Sequence, residues 1–379
     1  MEYIMPSTEL LEYHNESTRF TNRDYVKALG EDLSQTLQAY KVDAVIKDCR
    51  MTPLAAMFDV IPGAGVSIKA FRTLRSELEL WLASPVEIME TGSDVYTIGI
   101  AIKNWNESPR VGLREILESD AFKNCDYELP IAAGVNVMGK PFVFDLAASS
   151  HLLIAGTTGS GKSVFLNDLI MSLIYTKRPD EIKFGMIDPK RVELSAYNSI
   201  PHMLVPVVSD TDKALGLMSW VDKEMDDRFR KFADAGVRKI EDYNAKFPGN
   251  KLPRIVIVVD EYMEMMFKAP KELENYISRI ARMARAAGIH LVLATQRPTS
   301  DVVTSSIKAN IPCRASFTVL DWRESKTILD RTGAERLLGN GDMLFSAADA
   351  AVPIHAQAAY ISGEEVDRVV DSIRKQIKF

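Results

Sequence analysis

The sequence predicts an α/β protein in two parts, the larger a doubly wound parallel sheet around a phosphate-binding loop, and three observations carry that reading. From His151 onward, short apolar runs alternate with long helical periodicities, as parallel strands joined by crossover helices require. One such run leads straight into Gly156-Thr157-Thr158-Gly159-Ser160-Gly161-Lys162-Ser163 and then into a helical stretch. Another, Ile255-Val256-Ile257-Val258-Val259, ends in Asp260-Glu261, and an open α/β sheet places its reactive groups at the carboxyl ends of its strands.

Taken in order, residues 1–120 read as a small N-terminal α/β domain. Val26, Leu29, Leu33 and Leu37 recur at spacings of three and four, predicting a helix over 22–40 with Thr21 or Asn22 as its cap. Phe71, Leu74, Leu78 and Leu82 predict a second over 69–83, stopped by Pro85. Strands are expected over 42–46, 57–61, 86–89 and 95–100. Nothing in this part has the spacing of a catalytic constellation, so it reads as a scaffold. Residues 134–150 read as a strand and loop leading into the second part, 121–379. There the strands are expected at 152–155, 184–187, 255–259, 289–294 and 315–320, with helices over 163–174, 277–287 and 364–378.

Composition narrows the classes. The chain has 379 residues, 46% hydrophobic and 26% charged, which is ordinary for a globular protein and excludes a disordered, collagen-like or coiled-coil chain. Cys49, Cys125 and Cys313 stand far apart with no C-x-x-C pair, arguing against a disulfide framework or structural zinc and for a reducing, cytoplasmic setting. The longest apolar runs are too short to span a membrane and nothing near the start reads as a signal peptide, so no membrane contact is expected through this chain. A net charge of −6 argues against a protein coated in nucleic acid, while leaving room for a local basic channel.

The glycine loop has a definite chemistry. Gly156, Thr157, Thr158, Gly159, Ser160 and Gly161 would close backbone N–H groups around phosphate oxygens, and the helix opening at Lys162, Ser163 and Val164 would aim its N-terminus at their charge. ATP is the expected ligand, with Lys162 on the outer phosphates and the Ser163 hydroxyl on Mg²⁺. Asp260 would complete the Mg²⁺ shell and Glu261 would act as base toward the attacking water. The run over 289–294 ends in Thr295-Gln296-Arg297-Pro298, which makes the Gln296 amide the candidate sensor of the γ-phosphate.

With these pieces in order, the chain resembles the motor domain of the FtsK/SpoIIIE double-stranded DNA translocases. The resemblance runs through Met186-Ile187-Asp188-Pro189-Lys190, through Ala281-Arg282-Met283-Ala284-Arg285-Ala286-Ala287-Gly288-Ile289-His290 and Thr295-Gln296-Arg297-Pro298, and through Ile307-Lys308-Ala309-Asn310-Ile311-Pro312. Further on it includes Gly339-Asn340-Gly341-Asp342-Met343-Leu344, and in all it covers about 134–370. More weakly, 20–120 is similar to the family's smaller α domain. The resemblance implies a RecA-like P-loop ATPase of the ASCE class, working as a homo-oligomeric, hexameric ring around duplex DNA that it grips without regard to sequence. It further implies a cation supplied across the subunit boundary, for which Arg285 is the candidate and Arg282 the alternative. Arg297 and Lys308 match positions on pore loops, where Thr304 and Asn310 could add neutral hydrogen bonds to the phosphate backbone. Where many relatives have S-S-K, this chain has Leu320-Asp321-Trp322-Arg323-Glu324-Ser325; Trp322 stands in place of the usual pore lysine, which leaves two readings: Arg323 substitutes for it, or this subunit grips DNA less strongly. The relatives' membrane helices, linker and winged-helix domain have no counterpart within 1–379. Two other functions fit the same motifs: a related ATPase threading protein or single-stranded DNA, and a nucleotide switch that never translocates.

Overall fold

The computed structural model describes residues 3–14, 23–90, 97–103, 110–348, 350 and 352–376. The proposed helix cap at Thr21 or Asn22, the start of the strand expected at 95 and the last residues of the helix expected to reach 378 lie outside the described residues. The chain forms two compact units, one of Tyr13–Val111 with Val135–Lys140, the other of Met1–Glu12, Gly112–Gly134 and Pro141–Phe379.

The smaller unit is an antiparallel sheet covered by helices. Its strands are β1 (Ala44–Met51), β2 (Ala55–Pro62), β3 (Val86–Glu90) and β4 (Ile98–Lys103), in the order β1-β2-β4-β3. Successive side chains of a strand face opposite ways. In β2 and β4 this sends Phe58, Ile100 and Ile102 toward a core with Val26, Leu29, Leu33 and Leu37 of the helix Arg23–Ala39, while Met57 and Ala101 join Leu54 and Val137 in a second cluster. The helix expected over 69–83 is two, Ile68–Thr73 and Arg75–Trp81, broken at Leu74. Phe71, Leu74, Leu78 and Leu82 all reach the core regardless.

The larger unit carries β5 (Pro130–Asn136, its last two residues counted with the smaller unit), β6 (Pro141–Asp145), β7 (Leu152–Ala155), β8 (Ile182–Ile187), β9 (Arg254–Val259), β10 (Ile289–Thr295), β11 (Arg314–Ser316), β12 (Asp342–Ser346) and β13 (Ile354–Ala358). They form one sheet in the order β6-β5-β13-β12-β11-β7-β10-β9-β8. The run from β11 to β8 is parallel, as expected. Beyond β11 the sheet continues with antiparallel β12 and β13, so it is mixed rather than wholly parallel. Residues 134–150 also differ from expectation: they hold the last three residues of β5, all of β6 and a short helix, Leu146–Ser149. Phe142 and Phe144, two apart on β6, pack against Phe345 with ring centroids 5.1 and 4.7 Å away.

Helix Lys162–Ile174 is apolar nearly all round and buried on most sides. Helix Thr211–Ala235 shows one apolar face, with Leu217, Met218, Val221, Met225 and Phe232 in the core, and starts where Asp210 accepts the Asp212 and Lys213 N–H groups. The start of the chain joins this unit as well: Leu11 is buried, and the Ile4 and Glu12 N–H groups donate to Gln376, just past the closing helix Gly363–Lys375, and to Glu365 within it. Among the described residues no helix is long and apolar enough to cross a membrane.

Two histidines make this core sensitive to acid. His151 and His290 are fully buried with ring centroids 6.3 Å apart. The Leu291 N–H donates to His151 Nδ1 at 2.9 Å, and His290 Nδ1 lies 2.7 Å from the Ser150 carbonyl. Burial first, and then the neighbouring ring or arginines, pulls each pKa from 6.5 down to about 3. Between those values the unfolded chain binds protons that the folded chain refuses, so stability is complete above pH 6.5 and falls as pH drops toward 3, by up to about 1.4 kcal/mol per pH unit for each histidine. The wild-type melting temperature is expected to decline from pH 7 to pH 5 more steeply than that of a His151→Gln, His290→Gln double variant; parallel curves would exclude the pair as the cause.

Candidate nucleotide site

Strand β7 delivers the chain to a loop that glycines shape. Gly159 and Gly161 have φ of 78° and 108°, the left-handed region that side chains rarely enter. A Cβ on Gly161 would lie 2.5 Å from the Gly341 nitrogen, whereas one on Gly159 would meet nothing within 4 Å, leaving open space over the loop. The loop is braced from three neighbours: the Gly156 N–H donates to the Thr295 carbonyl at 3.2 Å, the Thr157 N–H to the Thr318 carbonyl at 2.9 Å, and the Ser160 carbonyl accepts the Gly341 N–H at 2.8 Å. The Ser160 hydroxyl is buried and has no hydrogen-bond partner among the described residues. Helix Lys162–Ile174 then begins, and the N–H groups of its first turn, Ser163 and Val164 among them, have no carbonyl to reach within the helix. Open space, a positive helix end and a lysine suit a polyphosphate.

Lys162 Nζ lies 2.6 Å from Asp260 Oδ1, and both side chains are 3% exposed. Each charge offsets part of the cost of burying the other. Glu261, next along from the end of β9, has φ of 54° and is wholly buried. Its carboxylate accepts the Thr295 hydroxyl at 2.9 Å and the Gln296 N–H at 3.2 Å, and Lys190 Nζ stands 3.5 Å away. Strand β10 lies between β7 and β9, so Thr295 and Gln296 emerge between the glycine loop and the acidic pair. The Thr158 hydroxyl donates to Gln296 Oε1 at 3.1 Å. Thus Lys162, Asp260, Glu261, Gln296 and residues 156–163 gather at one edge of the sheet.

Sequence reasoning gave no role to three groups here. Thr295 anchors Glu261. Asp188, fully buried after β8, accepts four backbone N–H groups, from Lys190, Arg191, Glu193 and Leu194, at 2.9–3.1 Å. The turn it ties sets Lys190 beside Glu261. Asp188-Pro189-Lys190 was the available signal, since an Asp just after an apolar strand readily binds nearby backbone N–H groups.

The other predicted residues lie elsewhere. Arg285 was expected on a helix over 277–287, but the helix is Pro270–Met283, and Arg285 sits exposed on the turn into β10. The helix stops because Ile289 must enter the sheet, where the Ile255 N–H already takes the Gly288 carbonyl. Arg282 is exposed in the helix's last turn, its Nε donating to the Ser278 carbonyl. Arg297 is exposed directly after Gln296. Lys308 pairs with Asp330 at 2.6 Å, and Arg314 shares that carboxylate. Thr304 caps the helix Ser305–Asn310 and donates to Glu274, and Asn310 bonds back to the Ser306 carbonyl. Arg323, with its side chain 72% exposed, lies 5.0 Å from the Trp322 ring centroid; Lys326 is at the same distance.

A glycine loop between a parallel strand and a helix, with an acidic pair two strands across and a polar strand end between them, defines a RecA-like P-loop ATPase fold. The chain belongs to the FtsK/SpoIIIE family, whose model matches residues 112–300; the FtsK alpha domain matches residues 5–104. It is 45% identical over 375 residues to the DNA translocase FtsK of Caldanaerobacter subterraneus subsp. tengcongensis, covering 99% of this chain and 53% of that protein. To the DNA translocase SpoIIIE of Bacillus subtilis it is 41% identical over 389 residues, covering 100% of this chain and 49% of the relative. The chain thus spans about half the length of these curated relatives. Among solved structures it is similar to the pCW3 conjugation coupling protein TcpA with ATPγS, at a TM-score of 0.63 and 25% identity over 93% of this chain and 100% of that one.

Proposed function

We propose that this chain is the motor part of an ATP-driven translocase of double-stranded DNA that works as a homo-oligomeric, hexameric ring. The observation that carries the reading is the link from Thr158 through the Gln296 side chain to the exposed cation Arg297, next in the chain. It joins a phosphate-binding loop to a group suited to a DNA backbone. The relatives' being DNA translocases favours DNA over protein as the cargo.

ATP phosphates would lie against residues 156–163, drawing Lys162 from Asp260. Ser163 and Asp260, a hydroxyl and a carboxylate, are oxygen donors of the kind Mg²⁺ prefers. Bound there, the metal would supply positive charge to the phosphate oxygens. Glu261 would take a proton from water attacking the γ-phosphorus as the bond to the β-phosphate oxygen breaks. Because Thr295 and the Gln296 N–H hold that carboxylate, its release is coupled to movement at the end of β10, and so to Arg297. Arg285 would stabilise transition-state charge on the nucleotide of an adjoining subunit.

The test is displacement of a third strand from a long duplex. Wild-type protein with ATP is expected to strip the triplex and the Lys162→Ala and Glu261→Gln variants are not; ATP turnover by wild type without displacement would favour a switch over a motor. Grip is checked separately. Arg297→Ala is expected to weaken duplex binding and to lower the slope of log affinity against log salt by about one, the mark of one lost phosphate contact. Lys308→Ala should change the slope less, because Asp330 already neutralises that ammonium. An unchanged slope for Arg297→Ala would remove Arg297 from the DNA path.

A further inference from the structure

The turn that carries Arg285 is fastened at every carbonyl. The Ala284 carbonyl accepts the Ile289 N–H at 3.0 Å, that of Arg285 the Gly288 N–H at 3.0 Å, that of Ala286 the Ile240 N–H at 3.0 Å, and that of Gly288 the Ile255 N–H at 2.8 Å. The remaining carbonyl, of Ala287, is held by a side chain: Arg228 Nη1 donates to it at 2.9 Å. Ile240 packs under the same turn, so closely that a Cβ on Gly288 would lie 2.5 Å from its Cδ1.

Arg228 is a costly way to satisfy one carbonyl. It is 1% exposed and reaches up from the middle of helix Thr211–Ala235, with its Nε on Glu224 Oε1 at 2.8 Å. Burying a guanidinium is unfavourable even when it is paired, and burial here pulls its pKa below the ordinary arginine value. A backbone N–H, the partner used by every other carbonyl of the turn, would carry no such penalty. What the guanidinium adds is a rigid planar fork that ties the turn to a second helix and to Glu224 at once. The side chain standing out from this fixed turn is Arg285, which is exposed.

We infer that Arg228 is a positioning residue for the shared site: it fixes the turn 284–288 so that the Arg285 guanidinium is offered to the adjoining subunit's nucleotide at a set place. This rests on the proposal that Arg285 acts across a subunit boundary. Pre-set geometry matters because a displacement of about 1 Å at a catalytic group can cost about 100-fold in rate.

The test uses the full chain assembled on duplex DNA with saturating ATP, in four forms: wild type, Arg228→Met, Arg285→Ala and the double variant. Arg228→Met is expected to lower kcat about 10- to 100-fold with KM for ATP nearly unchanged, the sign of an interaction made only in the transition state. In the Arg285→Ala background, followed by single-turnover hydrolysis, the same substitution should lower the rate no further. Arg228→Lys, which keeps the charge but not the fork, should recover part of kcat, and it replaces Arg228→Met in the cycle if the methionine variant does not fold. Equal losses in both backgrounds would show a merely structural contact and overturn the inference, as would an unchanged kcat with Arg285 intact. If Arg285→Ala alone hydrolyses ATP at the full rate, the cross-boundary role fails and the inference falls with it, a result visible without any Arg228 variant.

Discussion

Replacing Glu261 with glutamine is expected to leave ATP binding intact and to slow hydrolysis about a thousandfold, within the range a positioned general base contributes. The change is nearly isosteric, and the amide oxygen can still accept from the Thr295 hydroxyl and the Gln296 N–H, so the end of β10 should keep its place. What is lost is the capacity to take a proton. Lys162→Ala should behave differently. It removes the cation that a polyphosphate needs and strands the Asp260 carboxylate, 3% exposed, without its partner, so nucleotide affinity should fall together with rate and the protein should be less stable. Equilibrium binding of a fluorescent ATP analogue beside steady-state kcat separates the two variants. If Glu261→Gln retained even a tenth of wild-type kcat, the base would have to be sought elsewhere.

Arg285→Ala is expected to lower kcat by a similar factor, about a thousandfold, since a cation supplied in trans is worth that much in phosphoryl transfer. The side chain is exposed on its turn and far in sequence from the glycine loop, so ATP binding should be untouched. A mixing experiment gives the sharper outcome. Subunits carrying Arg285→Ala keep an intact nucleotide site, and subunits carrying Lys162→Ala keep an intact arginine. In a head-to-tail ring of equal parts, about one boundary in four joins the two good halves, and activity should return to a corresponding fraction. Mixtures no more active than either parent would show that the arginine serves its own subunit or none.

Most of the nucleotide site was legible in the linear sequence because its determinants are local. The spacing of the glycines, the strand before them and the helix after them are contiguous, and β9 reads as a strand on its own through five consecutive β-branched residues. Periodicity likewise placed Val26, Leu29, Leu33 and Leu37 on one buried helix face. Expectation departed from structure where distant partners decide the outcome. No local signal ends a helix at Met283; the backbone leaves it to pair Ile289 with Ile255. Nor does one mark Lys308 for Asp330, or the first residues of the chain for the helix that closes it.

The sequence by itself determined which groups the candidate site offers, a glycine loop with a lysine and two carboxylates, because each motif needs only its neighbours in the chain to take shape. Tertiary structure alone decided how those groups are held. It put Thr295 and Lys190 against Glu261, Gly341 beside the glycine loop and Arg228 beneath the turn of Arg285. These contacts join segments tens to nearly two hundred residues apart, and they form only because the sheet sets its strands side by side in an order different from that of the chain.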